Sequence, residues 1–103
     1  MRFVDSTQFE GSSPWDALDL LNLDTATVRL HWTDQPYHWH VNDGPEAFVV
    51  LDGQIDMHYR ESGVEQQRRL SPGMICLVES GDEHVAHPVG IARILVVEQA
   101  GTE

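Results

Sequence analysis

The sequence predicts an all-β fold, a single barrel or sandwich of short strands. From Thr27 onward, short segments of alternating apolar and polar residues follow one another, and turn residues interrupt them at close intervals. The length supports the same fold class, because 103 residues suffice for one hydrophobic core and leave no room for a second domain. We therefore expect one domain over residues 1–103, with the barrel between about residues 27 and 98.

The N-terminal part carries the one helical signal. Residues 13–21 read SPWDALDLL, with Ser13 as a candidate N-cap, Pro14 at the first helical position and Asp16 in the first turn. These residue types favour the start of a helix. We predict one short N-terminal helix over residues 13–21.

The strand signals follow in order along the chain. In residues 27–32, Val28, Leu30 and Trp32 alternate with more polar residues, so one strand face is apolar. Residues 46–52 are apolar on both faces, which predicts a central strand that is covered by the barrel interior on one side and by another surface, such as a dimer partner, on the other. The remaining predicted strands, each bounded by turn residues, are 54–60, 64–70, 74–78 and 91–98.

The charge composition excludes several partner classes. Seventeen Asp and Glu against six basic residues give a formal net charge of -11 at pH 7. Nucleic-acid binding needs clustered cations, and an anionic membrane surface would be repelled. No apolar run approaches the roughly 20 residues that a membrane span requires. All six basic residues are arginines, so Schiff-base catalysis by lysine is excluded as well.

Cysteine usage and the N-terminus favour a cytoplasmic location. Cys76 is the single cysteine, so no internal disulfide can form. The first residues, MRFVDSTQFEGSS, lack the basic start and apolar stretch of a secretory signal. We expect the protein to be cytoplasmic.

Candidate metal ligands begin with His38 and His40. On an extended strand, residues two apart point to the same side, so both imidazoles can reach one point. Glu46 follows and shares a strand face with Phe48 and Val50, so it points inward if they do. A buried carboxylate is costly unless it is paired, and a divalent cation would pair it.

His84 is the fourth candidate, and the fold must bring it to the other three from a separate strand. Imidazole nitrogens with one carboxylate suit iron, manganese, nickel, cobalt or zinc, and the set does not select one of these metals. With four protein ligands, an octahedral ion would keep two positions open for water or substrate.

These residues resemble the two motifs of the cupin family. The run HWHVNDGPEAFVVLDG is similar to the first motif, which reads H-x-H, three or four residues, E, six residues, G, and it ends at Gly53. The run GMICLVESGDEHVAHP is similar to the second motif and supplies Gly73, Gly81 and His84 at matching offsets. The sequence departs from the two motifs at four points: five residues separate His40 from Glu46, Glu79 replaces a proline, Pro88 replaces an asparagine, and a tryptophan replaces the glycine expected ahead of H-x-H. None of these departures removes a ligand.

The layout from about residue 27 to the end of the chain resembles the small single-domain cupins described as mannose-6-phosphate isomerase-like. The resemblance implies an antiparallel double-stranded β-helix, also called a jelly-roll or cupin barrel. It also implies a divalent metal ion on His38, His40, Glu46 and His84, and commonly a homodimer. It is specific for the fold and not for the reaction, because one fold hosts many functions.

Other polar and aromatic side chains are expected to play lesser roles. His31 and His58 lie on the more polar faces of their strands and should be solvated, and His87 would face away from the site. Trp39 points away from its flanking histidines, towards an outer layer or an interface. Arg93 shares a face with apolar residues and is a candidate for binding a substrate carboxylate or phosphate.

The leading functional hypothesis is a small metalloprotein that binds a small polar or anionic molecule beside the metal. As an enzyme it would be a dioxygenase using iron or manganese, or an isomerase using a zinc-like Lewis acid, with Glu46 as the candidate for proton transfer. The alternatives are a non-catalytic binding or sensor module, and a barrel without metal.

Overall fold

The computed structural model describes residues 1–101, and almost all of its regular elements are strands. This confirms the all-β prediction. No helix in residues 1–101 is long and apolar enough to cross a membrane. The elements are a 3-10 helix at Ser6–Gln8, β1 (Asp16–Asn22), β2 (Ala26–Thr33), β3 (His40–Val41), β4 (Glu46–Glu61), β5 (Val64–Leu70), β6 (Ile75–Val78) and β7 (Glu83–Gln99).

The strands form one antiparallel sheet in the order β1-β2-β7-β4-β5, with β3 added to β7 and β6 added to β4. The long strands β4 and β7 pair along two stretches, and the register shifts between Val50 and Gln54. Strands β1, β2 and β6 extend the first stretch, whereas β3 and β5 extend the second. The sheet therefore folds over at the register shift into two layers that enclose the interior.

Gly53 allows the fold-over in β4. Its φ is +76°, and a Cβ at this position would overlap the carbonyl oxygen of Ile91 on β7. The sequence pattern predicts that Gly53 separates two strands. The structure instead shows one strand that bends there, because glycine can adopt the left-handed conformation while strand pairing resumes on both sides.

The core lies between the two layers and is built from alternate residues of three strands, β4, β5 and β7. Phe48 and Val50 come from the first half of β4, and Ile94 and Val96 from the facing half of β7. The complete buried cluster is Phe48, Val50, Ile55, Met57, Leu70, Ala86, Ala92, Ile94 and Val96.

The inner face of β2 is its more polar face, contrary to expectation for His31. His31 lies opposite Ile94, and directly opposed residues of an antiparallel pair share a face, so half-buried His31 points into the interior. Leu30 and Trp32 are buried on the outer face instead. There Trp32 packs so closely against the N-terminal segment that Gly11 has no room for a Cβ.

The predicted helix over 13–21 is wrong, since residues 16–22 form β1. Trp15 has a φ of +58°, which interrupts any helix that begins at Ser13 and Pro14. Pairing with β2 provides backbone hydrogen bonds along the segment and places Leu18 opposite Leu30, and this tertiary pairing outweighs the local helix signal.

Arg93 lies on the outer face of β7 and does not face the interior as a substrate ligand. Its buried guanidinium forms ion pairs with Asp52 (2.6 Å) and Glu10 (2.8 Å), and its Nε donates to the carbonyl oxygen of Phe9 (2.9 Å). These contacts attach the N-terminal segment to the sheet.

Candidate functional site

A cavity of about 160 Å³ opens between the two layers beside β2, β3 and β7. Its wall combines apolar and aromatic side chains with two imidazoles of the predicted metal site and two carboxyl groups. The lining residues are Trp15, His31, Tyr37, His40, Glu46, Phe48, His84, Ala86, Val96 and Glu98.

Three of the four predicted metal ligands line this cavity, and each comes from a different strand. His40 on β3 lies directly opposite His84 on β7, and their ring centroids are 4.3 Å apart. Glu46 begins β4, and only 8% of its surface is exposed. Glu46 therefore points inward, as its shared face with Phe48 and Val50 predicts.

His38 does not line the cavity. It precedes β3, it is exposed, and its ring stacks on Tyr37 at a centroid distance of 4.0 Å. Its ring centroid lies 5.6 Å from that of His40. The pair is therefore close, but the predicted convergence of both imidazoles on one point is not what the structure shows.

Hydrogen bonds assign the free nitrogens of the two cavity histidines. His40 Nδ1 lies 3.0 Å from the carbonyl oxygen of His38, which can only accept, so Nδ1 donates and Nε2 keeps a lone pair. Asn42 donates its amide nitrogen to the carbonyl oxygen of Gly44, so its amide oxygen accepts from His84 Nε2 at 2.7 Å. The remaining His84 nitrogen, Nδ1, is buried and has no partner within residues 1–101.

The cavity favours the neutral form of His84. Burial, together with the neighbouring His40, lowers its pKa to about 4, while the charge of Asp82 acts in the opposite direction. A neutral imidazole is the form that binds a metal ion.

Glu46 faces a second buried carboxyl group. Glu98 on β7 is its direct cross-strand partner, and it too is only 8% exposed. Burial raises the pKa of Glu46 to about 7, and the charge of Glu98 and a hydrogen bond with it act in the same direction, while the Asn42 amide at 3.4 Å opposes the shift. Without a cation, Glu46 is therefore partly protonated at neutral pH.

The donor chemistry of the cavity fits a divalent cation, although the donors are not assembled. His84 Nδ1 is a buried nitrogen lone pair without a partner, and no ion pair within residues 1–101 neutralises Glu46 or Glu98. In that same part of the chain, no group of three or more His, Cys, Asp or Glu side chains is placed to hold a metal ion as it stands. Binding would require side-chain rotation in the cavity.

Sequence reasoning missed Glu98, Asn42 and His31. The signal for Glu98 is the alternation of β7, because Glu98 has the same parity as core residues Ile94 and Val96. An acidic residue on an apolar strand face is unusual and therefore informative. Asn42 carries no such signal, since its position depends on the turn between β3 and β4.

A second, larger cavity of about 440 Å³ lies on the other side of His84, between β4, β5 and β6. Its floor includes Met57 and Leu70 from the core, and Arg68 reaches it from β5. His84 lines both cavities, so a ligand that contacts this imidazole could extend to either side.

The other candidate side chains lie outside the metal-ligand cavity. His58 and His87 pack against each other with ring centroids 4.3 Å apart, and His58 Nδ1 is 3.5 Å from Glu65. The guanidinium of Arg60 lies 4.1 Å above the ring of Trp39. All of these side chains lie outside the cavity, as expected, but His58 is half-buried and not solvated.

Solved structures match the fold over most of the chain, whereas no protein-family model and no curated protein matches the sequence. A cupin-2 domain containing protein from Shewanella frigidimarina has a TM-score of 0.77 and 20% identity, over 90% of this chain and 86% of that one. An RmlC-like cupin with a double-stranded β-helix fold from Methanocaldococcus jannaschii has a TM-score of 0.68 and 11% identity, over 89% and 86%.

A metalloenzyme is also among the structures with a similar fold. Fe(II)-HppE, crystallised with the alternative substrate (S)-1-HPP, has a TM-score of 0.69 and 17% identity, over 80% of this chain and 48% of that one. Identities of this size show the fold alone. This chain therefore has the fold of a small cupin, and the closer resemblance to mannose-6-phosphate isomerase-like cupins stays a prediction.

Proposed function

We propose that this protein is a metal-dependent small cupin whose inner cavity binds one divalent ion and, beside it, a small polar molecule. One observation carries the proposal: His40, Glu46 and His84, which the sequence pattern predicts as ligands, come from three strands and line one cavity. The presence of an Fe(II) enzyme among the proteins of similar fold supports it.

The cavity limits the size of the second ligand. A volume of about 160 Å³ is close to that of an engineered cavity of about 150 Å³ that holds benzene. Drug-sized molecules occupy sites of roughly 300 Å³ or more. The part of the ligand that lies beside His40 and His84 is therefore a fragment of a few heavy atoms, and a larger ligand would extend past His84 into the second cavity.

The chain's own residues would position this ligand and move a proton. A bound divalent ion would supply Lewis-acid chemistry, or dioxygen activation in the case of iron or manganese. Trp15 and Phe48 exclude water from one side of the cavity, and Glu46 is the candidate for proton transfer. Replacing Glu46 with Gln should reduce turnover more than metal content; equal loss of both would contradict this role.

Elemental analysis of protein purified without added metal or chelator tests the proposal. We expect one iron, manganese, zinc, nickel or cobalt ion per chain, and loss of that metal in His84→Ala. His87→Ala is the matched control, because His87 lies on the same strand but outside the cavity. Metal-free protein whose melting temperature is unchanged by all five metals would refute the proposal.

A metal-free binding module is the second candidate. The observation in its favour is that the donors within residues 1–101 do not converge, while burial raises the pKa of Glu46 to about 7 and so favours its neutral form. Such a module would bind a neutral polar molecule with equal affinity in the presence and absence of a chelator. A metal-dependent cupin would lose binding when the chelator is added.

We also propose that the protein is a homodimer, with the outer faces of β6 and the adjoining strands as the interface. Leu77 and Ile75 point outward from β6 and are 74% and 61% exposed. They adjoin half-buried Ala47 and Val49 on β4, and the outer face continues to Val97 on β7. A continuous apolar strip on a chain with a net charge of -11 is best covered by an equally apolar surface, and a second copy supplies one.

A further inference from the structure

The end of β7 places an additional carboxyl group in the proposed metal site. Glu98 lies directly opposite Glu46 across the β4–β7 pair, and both are 8% exposed. Glu98 also lines the cavity that contains His40 and His84. Four potential donors from β3, β4 and β7 thus share one enclosed space.

His38, by contrast, lies outside this space. Its exposed ring stacks on Tyr37 and meets the His40 ring edge-on, and its backbone carbonyl accepts a hydrogen bond from His40 Nδ1. The His38 carbonyl fixes the His40 ring by accepting from Nδ1, so that Nε2 is the nitrogen left with a lone pair. His38 therefore acts on the site through its backbone.

We propose that Glu98, and not His38, is the fourth protein ligand of the metal ion, so that the set is His40, Glu46, His84 and Glu98. This inference rests on the proposed function. One supporting observation does not depend on the two carboxyl groups. His84 is only 5% exposed, it lines the same cavity, and one of its ring nitrogens has no partner within residues 1–101. The cavity wall thus includes a histidine with an unsatisfied buried nitrogen as well as two carboxyl groups.

The charge of this set changes the expected ligand class. Two carboxylates balance a divalent cation, whereas one carboxylate with three imidazoles leaves a net charge of +1 at the metal. A neutral centre attracts an anion less strongly, so the second ligand should be a neutral polar molecule, such as an alcohol or a carbonyl compound, in preference to a carboxylate or phosphate. The balance of nitrogen and oxygen donors suits manganese, iron and zinc.

Metal titration of chelator-treated protein compares the two candidate ligands. Co²⁺ is the probe, with binding measured by calorimetry and by its visible absorption band. We expect Glu98→Gln to weaken Co²⁺ binding by more than about a hundredfold, because loss of a ligand should exceed the roughly 10- to 100-fold effect of losing an outer-sphere partner. His38→Ala, which keeps the backbone carbonyl, should change the affinity by less than about threefold and leave the absorption band in place.

A reversed pattern, with binding lost in His38→Ala and kept in Glu98→Gln, would overturn this inference and leave the proposed function standing. Absence of Co²⁺ binding in the wild-type protein would overturn both. If Glu98→Gln does not fold, Glu98→Asp is measured instead: it keeps the charge but withdraws the carboxyl group by one methylene. Unchanged affinity and an unchanged absorption band in Glu98→Asp would also overturn the inference.

Discussion

Replacing Glu46 with Gln should change how the stability of the metal-free protein depends on pH. The pKa of Glu46 is raised from 4.5 to about 7, mainly by burial. The folded state therefore keeps a proton that the unfolded state loses near pH 4.5. Between these two values the folded state binds more protons than the unfolded state, so the contribution of Glu46 to stability falls as pH rises.

The size of the effect follows from the pKa. At about 1.4 kcal/mol per pH unit, the stability of Glu46→Gln relative to wild type should increase by about 2 to 3 kcal/mol between about pH 5 and about pH 8. His84 acts in the opposite direction: its pKa falls from 6.5 to about 4, so its contribution is complete above pH 6.5 and is lost as pH falls towards 4. Because His84 is present in both proteins, the difference between them isolates the titration of Glu46.

Urea unfolding in the presence of a chelator measures this difference at intervals across that pH range. Glu61→Gln is the matched control, because Glu61 is an exposed carboxylate at the far end of the same strand. Glu98→Gln should keep most of the wild-type pH dependence, because burial, the largest cause of the raised pKa of Glu46, remains. A stability difference between Glu46→Gln and wild type that does not vary with pH would refute the raised pKa of Glu46.

Two further predictions concern the backbone bend and the outer face. Gly53→Ala should destabilise the protein by more than Gly90→Ala: both glycines have a positive φ, which costs roughly 1 kcal/mol for alanine, but only at Gly53 does the added methyl group overlap the opposing backbone. Equal melting temperatures for the two variants would contradict the close approach. Leu77→Asp should abolish the proposed dimer, measured by light scattering, because it places a charge in the apolar interface; monomer stability should change by less than about 0.5 kcal/mol. Val64→Asp is the control, since Val64 is an exposed position on β5 outside the interface, and it should leave the dimer intact. A wild-type monomer, or a dimer that survives Leu77→Asp, would exclude this interface.

The fold class could be predicted from local patterns, but the continuity of the strands could not. Alternation and turn residues locate the segments that become β2, β5 and β6 to within one or two residues. They divide β4 at Gly53, because a glycine between two apolar runs usually marks a turn. Whether such a glycine ends a strand or bends it depends on the partner strand, and the pairing partner on β7 lies about 40 residues further along the chain.

The face of each strand that points inward is harder to predict than the strand itself, and it determines which side chains reach the site. In β2 the more apolar face is the outer one, where Leu30 and Trp32 are buried and the N-terminal segment packs against Trp32. Hydrophobicity alone assigns that face to the interior and so leaves His31 in solvent. In β7 both faces are apolar, so alternation groups Glu98 with Ile94 and Val96, and the cross-strand register is needed to show that this face is the interior one. Glu46 was predicted correctly because it shares a face with Phe48 and Val50, which do point inward.

Metal binding should reverse the pH dependence of stability that Glu46 gives to the metal-free protein. Ligands must lose their protons to bind a metal ion, so the stability of the metal-loaded form increases as pH rises. By mass action, bound metal stabilises the folded state by about 2.7 kcal/mol when free metal is a hundredfold above its dissociation constant. The metal-free form loses the contribution of Glu46 over the same range. The gap between the melting temperatures of the two forms should therefore widen from about pH 5 to about pH 8 in the wild type, and widen less in Glu46→Gln. A gap that is constant with pH in both proteins would place the metal away from Glu46 and Glu98, on some other part of the molecule.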